Sequence, residues 1–184
     1  MNELQRTPEW FARRQGKITA SIAAACLGLD PYVSARKAWR TILGTEPDRD
    51  SHHKSWGREF EGEALSAYEI ETGNLVRPVG FIVHPQHPWL GASPDGLILS
   101  DGMVEIKCPM QLPKSVPIQH RIQILVQLAC TGRKWCDYFA WNNKWYTERV
   151  YPQGLGGLIR RLERFYLGYV LPKVEPPRKK PRKR

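Results

Sequence analysis

Cysteine pairing is what this sequence most clearly lacks. Its four cysteines stand at positions 26, 108, 130 and 136, with no CxxC spacing and no histidine partner at finger spacing. That excludes a disulfide-stapled scaffold and a Cys/His zinc module, and leaves free thiols in a reducing compartment as the expectation. Long apolar runs are missing too. No stretch reaches 18 apolar residues, and MNELQRTPEW at the start has no signal-peptide core, so a soluble protein of the cell interior is expected. There is no internal repeat, and Ser93 has no GxSxG elbow around it, which removes a serine hydrolase. Acidic charge is in short supply: 18 Asp and Glu face 28 Lys and Arg, a net of +10.

Such a balance suggests a polyanionic partner, nucleic acid ahead of an anionic membrane. The charge is unevenly placed. PKVEPPRKKPRKR (172–184) holds seven basic residues and one Glu, a net of +6, which leaves only +4 for the body. Basicity alone therefore does not establish a nucleic-acid binder. At 184 residues, 41% hydrophobic and with seven tryptophans, the chain is long enough for one domain with a real core.

The patterning divides the body into helices, a strand cluster, a helix, strands and a last helix. TPEWFARRQG (7–16) begins like a helix, with Thr7 as cap and Pro8 in the first position. ITASIAAACLG (18–28) and SARKAWRTILG (34–44) each close on a glycine. A longer helical pattern covers about 54–72, and 74–85 reads as extended. LILS and MVEIKC then bracket an Asp-Gly turn. Helix returns over about 116–130, two strands surround Asn142-Asn143, and a helix follows over about 153–170. This order predicts an α/β (α+β) domain, 1–171, with a mixed sheet flanked by helices. Proline and basic residues predict a disordered tail over 172–184.

Within the strand cluster, Asp95, Glu105 and Lys107 interrupt apolar runs. Glu105 and Lys107 are two apart on a strand and share a face, with Val104 and Ile106 on the other. Asp95 joins them only in one register. A two-residue Asp101-Gly102 loop pairs Ser100 with Met103 and turns Asp95 away. A three-residue Ser100-Asp101-Gly102 loop pairs Leu99 with Met103 and sets Asp95 across from Lys107, with Gly102 in the left-handed position. Two carboxylates and an ammonium on one face suit a hard divalent cation and hydrolysis of a phosphodiester. The bland alternative is an exposed ion pair on a strand face.

The flanks of these residues are distinctive: Ser93-Pro94-Asp95-Gly96, and ten residues after Asp95, Glu105-Ile106-Lys107-Cys108-Pro109. With them the stretch resembles the PD-(D/E)xK nuclease signature, and more narrowly the lambda-type exonucleases, or YqaJ-like viral recombinases. WGREFEGEA (56–64), WFARRQGKITAS (10–21) and QILVQLACTG (123–132) resemble further motifs of that group, in its order. The resemblance implies a restriction-endonuclease-like core and a Mg²⁺-dependent (Mn²⁺ substituting) 5′-to-3′ exodeoxyribonuclease acting on double-stranded DNA in phage-type recombination. It implies Asp95, Glu105, the Ile106 carbonyl and Glu61 as metal ligands, with Lys107 and Gln123 assisting the attacking water. Gln127, one helical turn on, is the alternate to Gln123. Arg14 and Ser21 would hold the 5′-phosphate of the DNA. A ring-shaped homotrimer and a single-strand annealing partner are implied as well.

Three candidates remain outside that set. His84 and His87 in HPQHP read as loop histidines lacking a third ligand. Trp135, Trp141 and Trp145 could stack bases but suit the core. The tail reads as a phosphate-binding arm, an import-like address or a solubilising end. The expected compartment is the cytoplasm, that of a bacterial host if the gene is a phage's, or the nucleus if the tail is an address.

Overall fold

A computed structural model describes residues 5–45 and 52–174, excepting the side chains of 52–58. The elements in chain order are α1 (Pro8–Arg14), β1 (Ile18–Thr19), α2 (Ala20–Cys26), α3 (Ala35–Ile42), α4 (His52–Thr72), β2 (Val76–Arg77), β3 (Ile82–Val83), β4 (Leu90–Ala92), β5 (Gly96–Ile98), β6 (Gly102–Lys107), α5 (Ile118–Thr131), β7 (Trp135–Trp141), β8 (Trp145–Val150), α6 (Leu155–Phe165) and α7 (Leu171–Val174). The strands form two mixed sheets flanked by helices, one of order β1-β4-β3 and one of order β2-β5-β6-β7-β8. In the larger sheet β6 and β7 run parallel, joined by α5, and its other neighbours are antiparallel.

Local chemistry explains most boundaries. Thr7 accepts the Trp10 amide at 3.2 Å and Ser34 accepts that of Lys37 at 3.2 Å, so α1 and α3 are capped as their sequences predict. The segment 18–28 is not one helix. Ile18 and Thr19 pair with Leu90 and Gly91 in a parallel bridge before the helix starts at Ala20. Likewise 74–85 is split between the two sheets, with Pro78 and Gly80 in the break. The chain also stays helical past Pro172. A π turn over Tyr166–Val170 precedes α7, whose Val174 sits beside Gly16. The rest of the expected tail, 175–184, lies outside the described residues, as does the Trp56 side chain.

α5 is the central helix. Ile124 and Leu128 pack on the sheet against Met103, Cys136, Tyr138 and Ala140. Ile122, Val126 and Cys130, on its opposite side, pack on α2 and α6. The far face of the larger sheet, with Val104, Ile106 and Phe139, is covered by Ala64 and Tyr68 of α4. Each such aliphatic or aromatic side chain contributes about 1.5–3 kcal/mol by leaving water. Asp137, on that sheet, is buried but fully paired: Arg149 donates to it at 2.7 and 3.0 Å and the Tyr68 hydroxyl at 2.8 Å. A buried charge persists only with such partners.

The hairpin register differs from both alternatives read from the sequence. Ile98 pairs with Gly102, Leu97 with Met103 and Gly96 with Val104, so the turn is Leu99-Ser100-Asp101. Its left-handed residue is Leu99, φ 46°, and not Gly102. The reason is packing. Gly102 pairs with Trp135, whose ring lies so close that a Cβ would stand 2.2 Å from it. The glycine is needed in the strand, and the turn makes do with leucine. Arg77 and Arg133 donate to the Leu99 carbonyl at 3.2 and 2.8 Å, and the Lys134 amide donates to the Asp101 carbonyl at 2.8 Å. Compared with the three-residue loop expected, the register moves by two residues, which preserves the face. Asp95 falls level with Glu105 instead of Lys107.

Candidate active site

Glu105 is the centre of the site. Position 105 lies mid-strand, and its side chain points to the α5 face, where it is 1% exposed. Three N–H donors meet it. Lys107 Nζ and Gln123 Nε2 (2.5 Å) reach Oε1, and Gln127 Nε2 (2.5 Å) reaches Oε2. The two glutamines project from consecutive turns of α5, so helix periodicity delivers both to one carboxylate. Only Gln123 was singled out by sequence, with Gln127 as its alternate; both touch Glu105. The i, i+4 spacing was the available signal.

Asp95 stands at the mouth of β5, and its Oδ2 accepts the Ile106 amide at 2.6 Å. Burial first, and the Glu105 carboxylate second, push its carboxyl well above the usual carboxylate range, against the pull of Lys107 and the Ile106 amide. For Lys107, burial alone would lower the pKa. The Glu105 and Asp95 carboxylates outweigh it, raising the pKa and keeping the ammonium charged. His120, on α5 one turn before Gln123, faces the Tyr138 hydroxyl at 3.1 Å. Its pKa is lowered to about 3 by burial and by the nearby Lys107 charge.

Glu61 lies on α4, across the sheet, and its Oε2 pairs with Arg6 at 3.0 Å. Its charge is felt at Asp95 and Cys108, yet no group of three His, Cys, Asp or Glu side chains converges at metal-binding distance among the described residues. The donors nevertheless fit a hard divalent cation. All are oxygens, and the Glu105 charge that, after burial, raises the Asp95 pKa is what a bound cation would offset.

The second predicted group gathers on the smaller sheet's side. Arg14 lies over the Trp10 ring at 3.9 Å and near Phe81 at 5.6 Å, with Nη2 3.5 Å from Thr19 Oγ1. Thr19 Oγ1 and Ser21 Oγ are 3.3 Å apart. Arg14 and Thr19 line a cavity of about 330 Å³ together with Gln15, Lys17 and Thr41. Trp10 was missed by sequence reasoning, although it sits four residues before Arg14 on one helix face. Its indole N–H also donates to Ser93 Oγ at 3.0 Å, which ties this group to the segment carrying Asp95. Gln5 donates to the Pro94 carbonyl at 2.9 Å. Elsewhere, His84 Nδ1 accepts two loop amides, from Gln86 at 3.1 Å and His87 at 3.2 Å. Trp135 serves packing, between Gly102 and Arg149.

The YqaJ-like viral recombinase domain matches residues 9–134, most of the chain, a span that includes Arg14, Ser21, Glu61, Asp95, Glu105, Lys107, Gln123 and Gln127. The chain belongs to this family. A solved structure of the alkaline exonuclease LHK-Exo from Laribacter hongkongensis is 32% identical over 89% of this chain and 90% of that one, with a TM-score of 0.71. LHK-Exo in complex with dAMP gives 0.72 at the same identity and coverage. A phage-related exonuclease from Haemophilus somnus 129PT, 11% identical over 84% of this chain and 92% of that one, shares the fold with a TM-score of 0.63. No curated protein matches in sequence. This YqaJ-like domain has no helix among its described residues that is long and apolar enough to cross a membrane.

Proposed function

We propose that the chain is a divalent-cation-dependent exodeoxyribonuclease that digests one strand of duplex DNA from its 5′ end, in the service of homologous recombination. The observation that carries this reading is the Asp95–Glu105–Lys107 cluster. Glu105, buried on its strand, and the half-buried Asp95 set two carboxylates against the one ammonium of Lys107, an arrangement costly to folding and of the kind kept at functional sites. Membership of an exonuclease-containing family supports it, as does the binding of dAMP by the LHK-Exo relative.

Asp95, Glu105 and the Ile106 carbonyl would hold Mg²⁺, or Mn²⁺ in its place, with Glu61 acting directly or through water. Bound there, the cation supplies Lewis acidity toward the scissile phosphate and a more acidic water. Lys107 is kept charged by its two carboxylate neighbours, so it serves as a donor that orients a water and meets negative charge building on phosphate oxygens. Gln123 holds Glu105 and would assist the same water. Arg14, braced on Trp10, would bind a terminal phosphate through its guanidinium with Ser21 beside it, and so set polarity. A trimeric ring around DNA and a strand-annealing partner complete the proposal.

The test is hydrolysis of linear duplex DNA in Mg²⁺ by Lys107→Ala and Asp95→Ala. Loss of roughly 10²–10⁴-fold in rate is expected of each, the range for removing a positioned catalytic group. Unchanged activity in both would overturn the assignment.

A further inference from the structure

We infer that Gln127 is a positioning residue for the reaction, acting through Glu105. The inference rests on the proposed nuclease reading and adds a residue to it.

Glu105 Oε1 has two N–H donors, whereas Oε2 has Gln127 Nε2 alone among the described residues. Gln127 is 0% exposed, in the layer between α5 and the sheet where its neighbours are Ile124 and Leu128. Its own Oε1 finds no hydrogen-bond donor. The amide cannot turn over to cure this, because Oε1 would then face a carboxylate oxygen. A buried acceptor without a partner is a standing cost. A methionine of similar volume would fill the space without it. The glutamine is therefore explained by what its other end does: it holds Oε2. With Oε2 held, rotation of the carboxylate is resisted, and Oε1 stays directed toward Lys107 and Gln123. The site tolerates an unsatisfied carbonyl at one end of Gln127 to fix the direction of an acid at the other.

Glu105 thus has two glutamines with different work. Gln123 is half-buried and shares Oε1 with the lysine. Gln127 is sealed in the core, where neither DNA nor water reaches it.

The experiment compares Gln127→Met with Val126→Ala, a cavity-forming change on the opposite face of the same helix that touches no part of the site. Steady-state rates on 5′-phosphorylated duplex in Mg²⁺ are measured per folded enzyme, below both thermal midpoints. Gln127→Met is expected to lose about 10- to 100-fold in kcat, the usual cost of removing a supporting hydrogen bond from a metal-site ligand. Its KM is expected to stay within about twofold, since no DNA contact is removed. Val126→Ala should lower the midpoint and keep kcat. If Gln127→Met does not fold, Gln127→Asn takes its place, its amide one methylene short of Oε2 and expected to show the same split. A wild-type kcat in the Gln127 variant, or a loss no larger than that of Val126→Ala, overturns the inference. Lys107→Ala in the same assay separates the two levels. If it too is active, the nuclease reading itself has failed; if it is inactive while the Gln127 variant is normal, only the role of Gln127 has.

Discussion

Ile106 donates its backbone N–H to Asp95 Oδ2 at 2.6 Å, although ladder pairing between β5 and β6 stops one step earlier, at Gly96 and Val104. The Asp95 side chain thus takes over where the backbone ladder ends, and in doing so is drawn beside Glu105. An amide that would otherwise lack a partner becomes the device that locates a functional acid. From this junction the behaviour of neighbouring residues can be anticipated.

Gly102→Ala should destabilise the protein by about 1–3 kcal/mol, the typical cost of forcing extra volume into a packed site. The added methyl would lie 2.2 Å from the Trp135 ring, which in turn is covered by Arg149 at 3.7 Å. Urea denaturation measures it, with Gly73→Ala as a poor control, since that glycine has a positive φ, and Gly62→Ala as a good one, since nothing stands within 4 Å of its position.

Leu99→Asn should do the reverse. Leu99 is exposed and left-handed, a conformation that costs a non-glycine residue roughly 1–2 kcal/mol and that asparagine accepts more readily. A gain of about 0.5–1 kcal/mol in the same denaturation is expected. A loss would mean that the leucine side chain is making contacts that matter.

His120 gives a pH dependence with a definite sign. Its pKa falls from an ordinary value near 6.5 to about 3 on folding, because burial and then Lys107 disfavour the imidazolium. Between those values the unfolded chain binds the proton and the folded one does not, so stability falls as pH drops from about 6.5 toward 3, by up to about 1.4 kcal/mol per pH unit. Asp95 works in the opposite direction, its raised pKa favouring the folded state as acid is added, so the informative quantity is a difference. On acidification across this window His120→Phe should lose less stability than the parent, so that the mutant-minus-parent difference grows as pH falls. Parallel curves would contradict the assignment.

Arg14→Ala should weaken discrimination for a 5′-phosphorylated end by about 10- to 100-fold, the equivalent of one charge-assisted hydrogen bond. The comparison is kcat/KM on duplexes with 5′-phosphate and 5′-hydroxyl ends. Retained discrimination would move the phosphate site elsewhere.

Much of this was legible in the sequence because the signals were local. Caps at Thr7 and Ser34 and the alternation through 103–107 act within a few residues, and they set helix starts and strand faces correctly. The acid-acid-lysine spacing, with its flanks, was likewise readable along the chain. What stayed hidden depends on residues distant in sequence. Gly102 reads as a turn glycine until Trp135, 33 positions on, is seen to lie against it. Val76 and Ile82 read as one extended stretch until their partners Ile98 and Ala92 prove to belong to different sheets. Gln127 could be placed on a helix face, but its full burial against Glu105 required knowing that α5 is packed on both sides. Helix over 171–174 was hidden by Pro172, which argues for a stop unless Val174 finds a packing surface at Gly16.

The central claim is that this site hydrolyses DNA from a 5′ end with a divalent cation. The most direct measurement is time-resolved digestion, with Mg²⁺ and with EDTA, of three substrates: a linear duplex with 5′-phosphates, the same duplex without them, and a closed circle. The account predicts Mg²⁺-dependent loss of one strand from the phosphorylated linear duplex, slower attack on the hydroxyl-ended one and an intact circle. Efficient cutting of the circle, or undiminished digestion in EDTA, would contradict it.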